Sequence, residues 1–183
     1  MQTHKVLIIY HSKYGHTKKY AQWLAEALSA DICESGNLKN DMLKDYATIV
    51  FGGSLYAGKN KAAALIVKHF EQLKNKKVVL FTCGVADVNS EANIVNINKS
   101  LDTIITPDIR DKIKIFHLRG GIDYDNLSFL HKTMMKIVYS QLSKKPDSEL
   151  TDENRDLLAT YGQNIDFVTK EMLEPIIQYC NNR

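Results

Sequence analysis

Three short stretches carry the residue types from which a binding site can be built: S-K-Y-G-H-T at 12–17, G-G-S-L-Y-A-G at 52–58 and T-C-G-V-A-D at 82–87. The first joins the hydroxyls of Ser12 and Thr17 to Gly15 just ahead of a helical pattern. Backbone N–H groups and the positive end of a helix dipole favour an anion there. The same residues would also serve as a plain turn with Thr17 as the helix cap. The second stretch sets Tyr56 among small residues, where glycines admit a flat ligand closely and a tyrosine can stack on it. An exposed tyrosine on a turn is the other reading. In the third, Gly84 follows an apolar run, and Asp87 is either a ligand contact or a cap for the next helix.

These stretches need elements to position them, and the hydrophobic pattern supplies those. Short apolar runs at 5–10, 31–34, 47–52, 77–83 and 112–118 read as strands. Between them, 17–28, 61–73 and 90–104 read as helices. A last long helix is expected after Thr151, with Leu158, Tyr161, Ile165, Val168 and Met172 as its apolar stripe. Strands that are apolar almost throughout are those with helices on both faces. Strand–helix alternation then implies an α/β domain with a parallel, doubly wound sheet. In such a sheet ligands bind beyond the carboxyl ends of the strands. All three stretches fall at those ends.

The segment 122–150 does not fit the alternation. On a helix at 100° per residue, Leu127, Leu130, Met134, Met135, Ile137, Val138, Tyr139 and Leu142 spread over roughly 200°. Lys132 and Lys136 lie opposite, and 126–145 holds four lysines and no acid. An arc that wide exceeds what one sheet surface covers. The surplus suits a bulky apolar substrate, a quinone, a membrane surface, a second subunit, or burial within the domain itself.

Bulk properties narrow the function classes. With 183 residues, 44% hydrophobic, the chain suits one globular domain. A net charge of +3 gives no general field for nucleic acid. Cys33, Cys83 and Cys180 form no CxxC pair, which argues against a disulfide framework or zinc site and for a reducing, cytoplasmic setting. The six histidines show no metal-ligand spacing, so no metal is expected. The first residues do not read as a signal peptide, and no stretch approaches the roughly 20 apolar residues of a membrane span. No Ser/His/Asp arrangement can be argued, and no catalytic acid or base is assigned.

Taken together, the three strand-end stretches resemble the FMN-contacting loops of the flavodoxin-like family. The resemblance covers nearly the whole chain and implies a single domain, 1–183, with a five-stranded parallel sheet in the order 2-1-3-4-5. The segment 122–150 would be a helical insertion before the last helix. It also implies that Ser12, Lys13, Tyr14, Gly15, His16 and Thr17 wrap the FMN phosphate. Ser54, Leu55, Tyr56, Ala57 and Gly58, with Thr82, Cys83, Gly84, Val85, Ala86 and Asp87, would hold the isoalloxazine ring. The chain departs from the common flavodoxin pattern at Tyr14, where threonine is usual, and at His16, where asparagine is usual. Within the family, the second loop and G-G-I-D-Y-D-N-L-S-F-L-H-K-T-M-M-K-I-V resemble the menaquinone-dependent protoporphyrinogen oxidase branch. That implies an FMN oxidoreductase passing electrons from protoporphyrinogen IX to menaquinone in haem biosynthesis. Lys132, Met135, Lys136 and Tyr139 would then touch substrate or the inner face of the cell membrane. The competing readings are a flavodoxin-type electron carrier without its own substrate and an NAD(P)H-dependent quinone reductase.

Overall fold

The structure, a computed structural model, describes residues 5–55 and 59–182. Five strands form one parallel sheet: β1 (Val6–His11), β2 (Asp31–Glu34), β3 (Thr48–Ser54), β4 (Lys77–Gly84) and β5 (Ile113–Arg119). Their order is β2-β1-β3-β4-β5. Pairing runs in register from Leu7 opposite Ile49 and Ile49 opposite Val78 to Val78 opposite Ile113.

The apolar runs explain the centre of the sheet. Successive strand residues point to opposite faces, and both faces of β1, β3 and β4 are covered. Leu7, Ile9, Ile49, Phe51 and Leu80 enter one core with Ile66 and Leu73 of α2 (Lys61–Leu73) and Leu101 of α3 (Glu91–Asp102). Ile8, Val50, Val79 and Phe81 enter the other with Tyr20 and Leu24 of α1 (His16–Leu28) and Ile176 of α7 (Glu174–Asn181). All five strands and the first three long helices lie where the sequence pattern places them, within one or two residues at most ends. A short helix, α4 (Pro107–Arg110), precedes β5.

The chain departs from expectation after residue 151. The single long helix is instead α6 (Asp152–Thr160), a strand, a 3₁₀ turn and α7. Gly162 adopts φ 78°, which ends the helical path, and Tyr161 is extended. Ile165 therefore lies in β7 (Ile165–Asp166), which pairs antiparallel with β6 (Gly121–Ile122). The small β6–β7 ribbon follows β5 directly, and beyond it the Phe167 N–H donates to the Gly120 carbonyl at 2.9 Å.

The segment 122–150 contains α5 (Phe129–Leu142), capped by Ser128, whose hydroxyl accepts the His131 N–H at 3.4 Å. Its apolar arc divides. Leu127, His131 and Leu142 are buried, whereas Phe129 is 87% exposed and Leu130 65%, with Met134, Ile137 and Val138 beside them. Among the described residues no helix is long and apolar enough to cross a membrane.

Candidate functional site

A cavity of about 640 Å³ opens at the carboxyl ends of β1, β3, β4 and β5, where a doubly wound sheet places its ligand. Its floor is the first and third loops and the end of β3. Its roof is the start of β6 with α5 and α6, through Ile122, Leu127, His131, Met135, Leu157 and Thr160.

The first loop turns sharply into α1. Gly15 sits at φ 94° as the N-cap, and its N–H donates to Ser12 Oγ at 3.1 Å. Few non-glycine residues adopt such a φ, which explains a glycine here. Thr17 is not the cap. It is buried, and its hydroxyl bonds the Cys83 thiol instead. The first turn of α1 thus has no side-chain cap, and its residues His16 and Thr17 line the cavity. An α-helix start of this kind suits an anion.

Lys13 and Tyr14 both reach His131 on α5. Lys13 Nζ lies 3.1 Å from Nε2, and the Tyr14 hydroxyl contacts Nδ1. Lysine has no acceptor, so Nε2 accepts, and Nδ1 carries the proton donated to the Tyr14 oxygen. Burial first, and the Lys13 charge second, hold the His131 pKa below the ordinary imidazole value. The neutral ring that this geometry requires is therefore the favoured one. His16 turns toward the β6–β7 ribbon, 4.0 Å from Asp166, and burial lowers its pKa despite that carboxylate.

The second and third loops are held from below and from the side. Leu55 N–H donates to the Cys83 carbonyl at 3.0 Å, and Gly120 N–H to the Gly84 carbonyl. Arg119 Nε donates to the Val85 carbonyl at 3.1 Å, while its guanidinium lies 3.7 Å from the Phe167 ring centroid. A Cβ at Gly120 would stand 2.7 Å from Cys83 Sγ, so the chain passes there only as glycine. Burial pushes the Cys83 thiol up to about 12, which leaves no thiolate for nucleophilic chemistry.

Of the expected ring and phosphate residues, Ser12, Lys13, Tyr14, His16, Thr17, Ser54, Leu55, Cys83, Gly84, Val85 and Ala86 line the cavity, as does Met135. Tyr56, Ala57 and Gly58 lie outside the described residues. Thr82 and Asp87 lie off the cavity lining. The Thr82 hydroxyl bonds His117 Nδ1 at 2.8 Å. Asp87 closes its own turn by accepting the Asn89 N–H at 3.0 Å, and Ser90 caps α3. Of the residues assigned to substrate or membrane contact on α5, Lys132 donates to the Asp125 carbonyl at 3.0 Å on the outside, and Lys136 is exposed. Tyr139 stacks on Tyr161 with ring centroids 4.1 Å apart and so joins α5 to the α6 end. Lining residues that the sequence reading did not name as site residues include Gly120–Gly121, His131, Leu157 and Thr160, and the charged Lys59, Lys61 and Asp156. Gly120–Gly121 makes a fourth glycine-bearing strand end. His131 and Met135 are spaced by four on one face of α5, and Leu127 lies just ahead of its cap. Among the described residues no group of three or more His, Cys, Asp or Glu side chains is placed to hold a metal ion.

This chemistry fits a flavin mononucleotide: an anion seat at the α1 start, a shelf where glycine permits close approach, and mostly apolar walls. A family model described as "Flavodoxin domain" matches residues 7–149. An uncharacterized protein of Methanocaldococcus jannaschii is 33% identical over 81 residues, 43% of this chain and 53% of that protein. The chain thus matches about half the length of that relative. Among solved structures, oxidised Flavodoxin 2 from Bacillus cereus is 17% identical, covering 85% of this chain and 93% of that one, at TM-score 0.43. Two-electron reduced Megasphaera elsdenii flavodoxin is 14% identical, covering 83% and 94%, at 0.43. A flavoprotein from Lactobacillus acidophilus NCFM, in complex with FMN, is 17% identical, covering 64% and 93%, at 0.41. The sequence match alone carries the assignment: the chain belongs to the flavodoxin domain family, whose cofactor is FMN.

Proposed function

We propose that this protein is an FMN-dependent oxidoreductase that takes electrons from a bulky apolar donor, of the protoporphyrinogen IX type, and delivers them to a quinone of the menaquinone type. The observation that supports this reading is the apolar roof of the cavity, where Ile122, Leu127, Met135 and Leu157 stand over the strand ends. An electron carrier that docks on a protein partner needs an open ring edge. A roof of this kind instead suits a small apolar reactant held beside the cofactor.

When bound, FMN supplies the electron-pair chemistry. The chain's own share is binding and shielding. The α1 start and the first loop would hold the phosphate, the Arg119-held third loop and Leu55 would hold the ring, and α5 and α6 would exclude water. Each turnover moves an electron pair and two protons from donor to quinone.

The outer face of α5 supports a membrane-edge setting for quinone exchange. Phe129, Leu130, Met134, Ile137 and Val138 are exposed, with Lys132 and Lys136 on the other side of the helix. Helices of this composition lie in the headgroup region of anionic bilayers. Charge reversal at Lys132 and Lys136 is expected to weaken binding to vesicles containing phosphatidylglycerol. Unchanged vesicle binding and unchanged donor KM would remove that role.

The deciding experiment is an anaerobic assay of FMN-loaded protein with protoporphyrinogen IX and a menaquinone analogue, followed by porphyrin fluorescence. Quinone-dependent growth, lost when FMN is stripped, is the expected result. No growth from protein that holds FMN would overturn the donor. A long-lived one-electron state on photoreduction would then favour a carrier, and bleaching of the flavin by NAD(P)H a reductase.

A further inference from the structure

α5 is an unusual wall for a cofactor cavity because so little of it is buried. Within the helix only His131 and Leu142 are buried, and they sit near its two ends. The C-terminal half is tied to α6 by the Tyr139–Tyr161 stack. At the N-terminal end the tie is His131, which is 4% exposed and sits in the cavity wall.

What His131 holds is the first loop. Its two ring nitrogens meet side chains from two consecutive residues, Lys13 and Tyr14. The Tyr14 and His131 rings also meet edge to face, with centroids 5.6 Å apart. Immediately after these residues comes Gly15 at φ 94°, whose N–H is taken by Ser12 Oγ. Fixing two adjacent side chains from one external point fixes the peptide plane between them and the approach to the Gly15 turn. With the Gly15 N–H held by Ser12, the anchor sets the shape of the turn and, through it, the α1 start where an anion would sit. An imidazole bonded at both nitrogens cannot rotate without breaking one bond, so the anchor is directional.

We propose that His131 is a positioning residue of the FMN phosphate site: carried on α5, it presets the Lys13–Tyr14–Gly15 turn for the phosphate and closes α5 over it. This rests on the FMN reading above. Preorganisation of this kind raises affinity by removing ordering cost from the binding step. By reciprocity, phosphate binding in the loop steadies α5. Loss of the anchor then weakens a ligand that has a phosphate and spares one that lacks it.

The test compares FMN with riboflavin, which shares the ring and ribityl chain but has no phosphate. Affinities for stripped protein are measured by quenching of flavin fluorescence, in wild type, His131→Phe, His131→Gln and Tyr14→Phe. Phenylalanine keeps the bulk and removes both hydrogen bonds. Glutamine can accept from Lys13 through Oε1. The expected result is an FMN affinity reduced at least tenfold in His131→Phe, with riboflavin affinity changed less than twofold. His131→Gln recovers part of the loss, and Tyr14→Phe shows a smaller loss of the same kind. Hydrogen exchange supplies a second readout: FMN protects α5 amides in wild type and no longer does so in His131→Phe. Equal losses for both flavins would make His131 a packing residue and overturn the proposal, as would no loss for either. Wild-type protein that binds neither flavin would overturn the cofactor reading itself, and this inference with it.

Discussion

The sheet and α5 wall the same cavity, and they are held by different physics. β1, β3 and β4 bury Leu7, Ile8, Ile9, Ile49, Val50, Phe51, Val79, Leu80 and Phe81 completely. α5 buries one residue near each end and turns an apolar face to solvent. The sheet is therefore stabilised by hydrophobic burial, at roughly 25 cal/mol per Å². α5 is positioned by a cap, a histidine and an aromatic stack. The lesson is that the floor of this site is rigid by default, while its roof is fixed by a few specific contacts. Regions with few buried contacts open at low free energy.

The largest expected effect lies in the floor. Phe81→Ala removes a fully buried ring that meets Tyr20 edge to face at 6.5 Å. It should cost about 3–5 kcal/mol, read by urea unfolding. A loss below about 1 kcal/mol would mean that the two regions do not differ as described. Gly15→Ala comes next. Nothing stands within 4 Å of an added Cβ, so the cost is conformational, about 1–2 kcal/mol for a left-handed backbone. FMN affinity should fall with it in a flavin titration.

In the roof, Ser128→Ala removes the α5 N-cap and should cost about 1 kcal/mol. The loss should appear as faster hydrogen exchange confined to α5, with the sheet amides unchanged. Uniform loss of protection would show that α5 and the sheet unfold as one unit. Ile137→Ser is the smallest. On an exposed face it should change stability by under about 0.5 kcal/mol while reducing vesicle binding. A cost well above that, with a change in sedimentation, would show that the α5 face is covered by a second copy of the chain.

Reading the chain without its structure succeeds where a pattern is dense. The strands at 47–52 and 77–83 are apolar on both faces, and that alone requires helices on both sides. The first loop is legible because Ser12, Gly15 and the α1 pattern lie within a few residues. The long helix after Thr151 fails because one glycine outweighs a good stripe: Gly162 turns the chain, and Ile165 pairs with Ile122 across the sequence. No local pattern encodes that pairing. The α5 arc is legible as too wide for one surface, yet its split into an inner and an outer face is not, because Leu127, His131 and Met135 face inward only once α6 and the first loop are in place.

The alternation of strands and helices, the parallel sheet and a glycine turn ahead of α1 follow from local chemistry and chain direction, and the sequence by itself determined them; the strand order came with the family resemblance. The partners of His131 were decided only in three dimensions. Lys13 and His131 are 118 residues apart, and Tyr14 and His131 are 117 apart. The tautomer, burial and role of that ring depend on the fold delivering α5 to the mouth of β1. Hydrophobic periodicity specifies which face of an element goes inward; it does not specify which distant polar group meets another when it arrives.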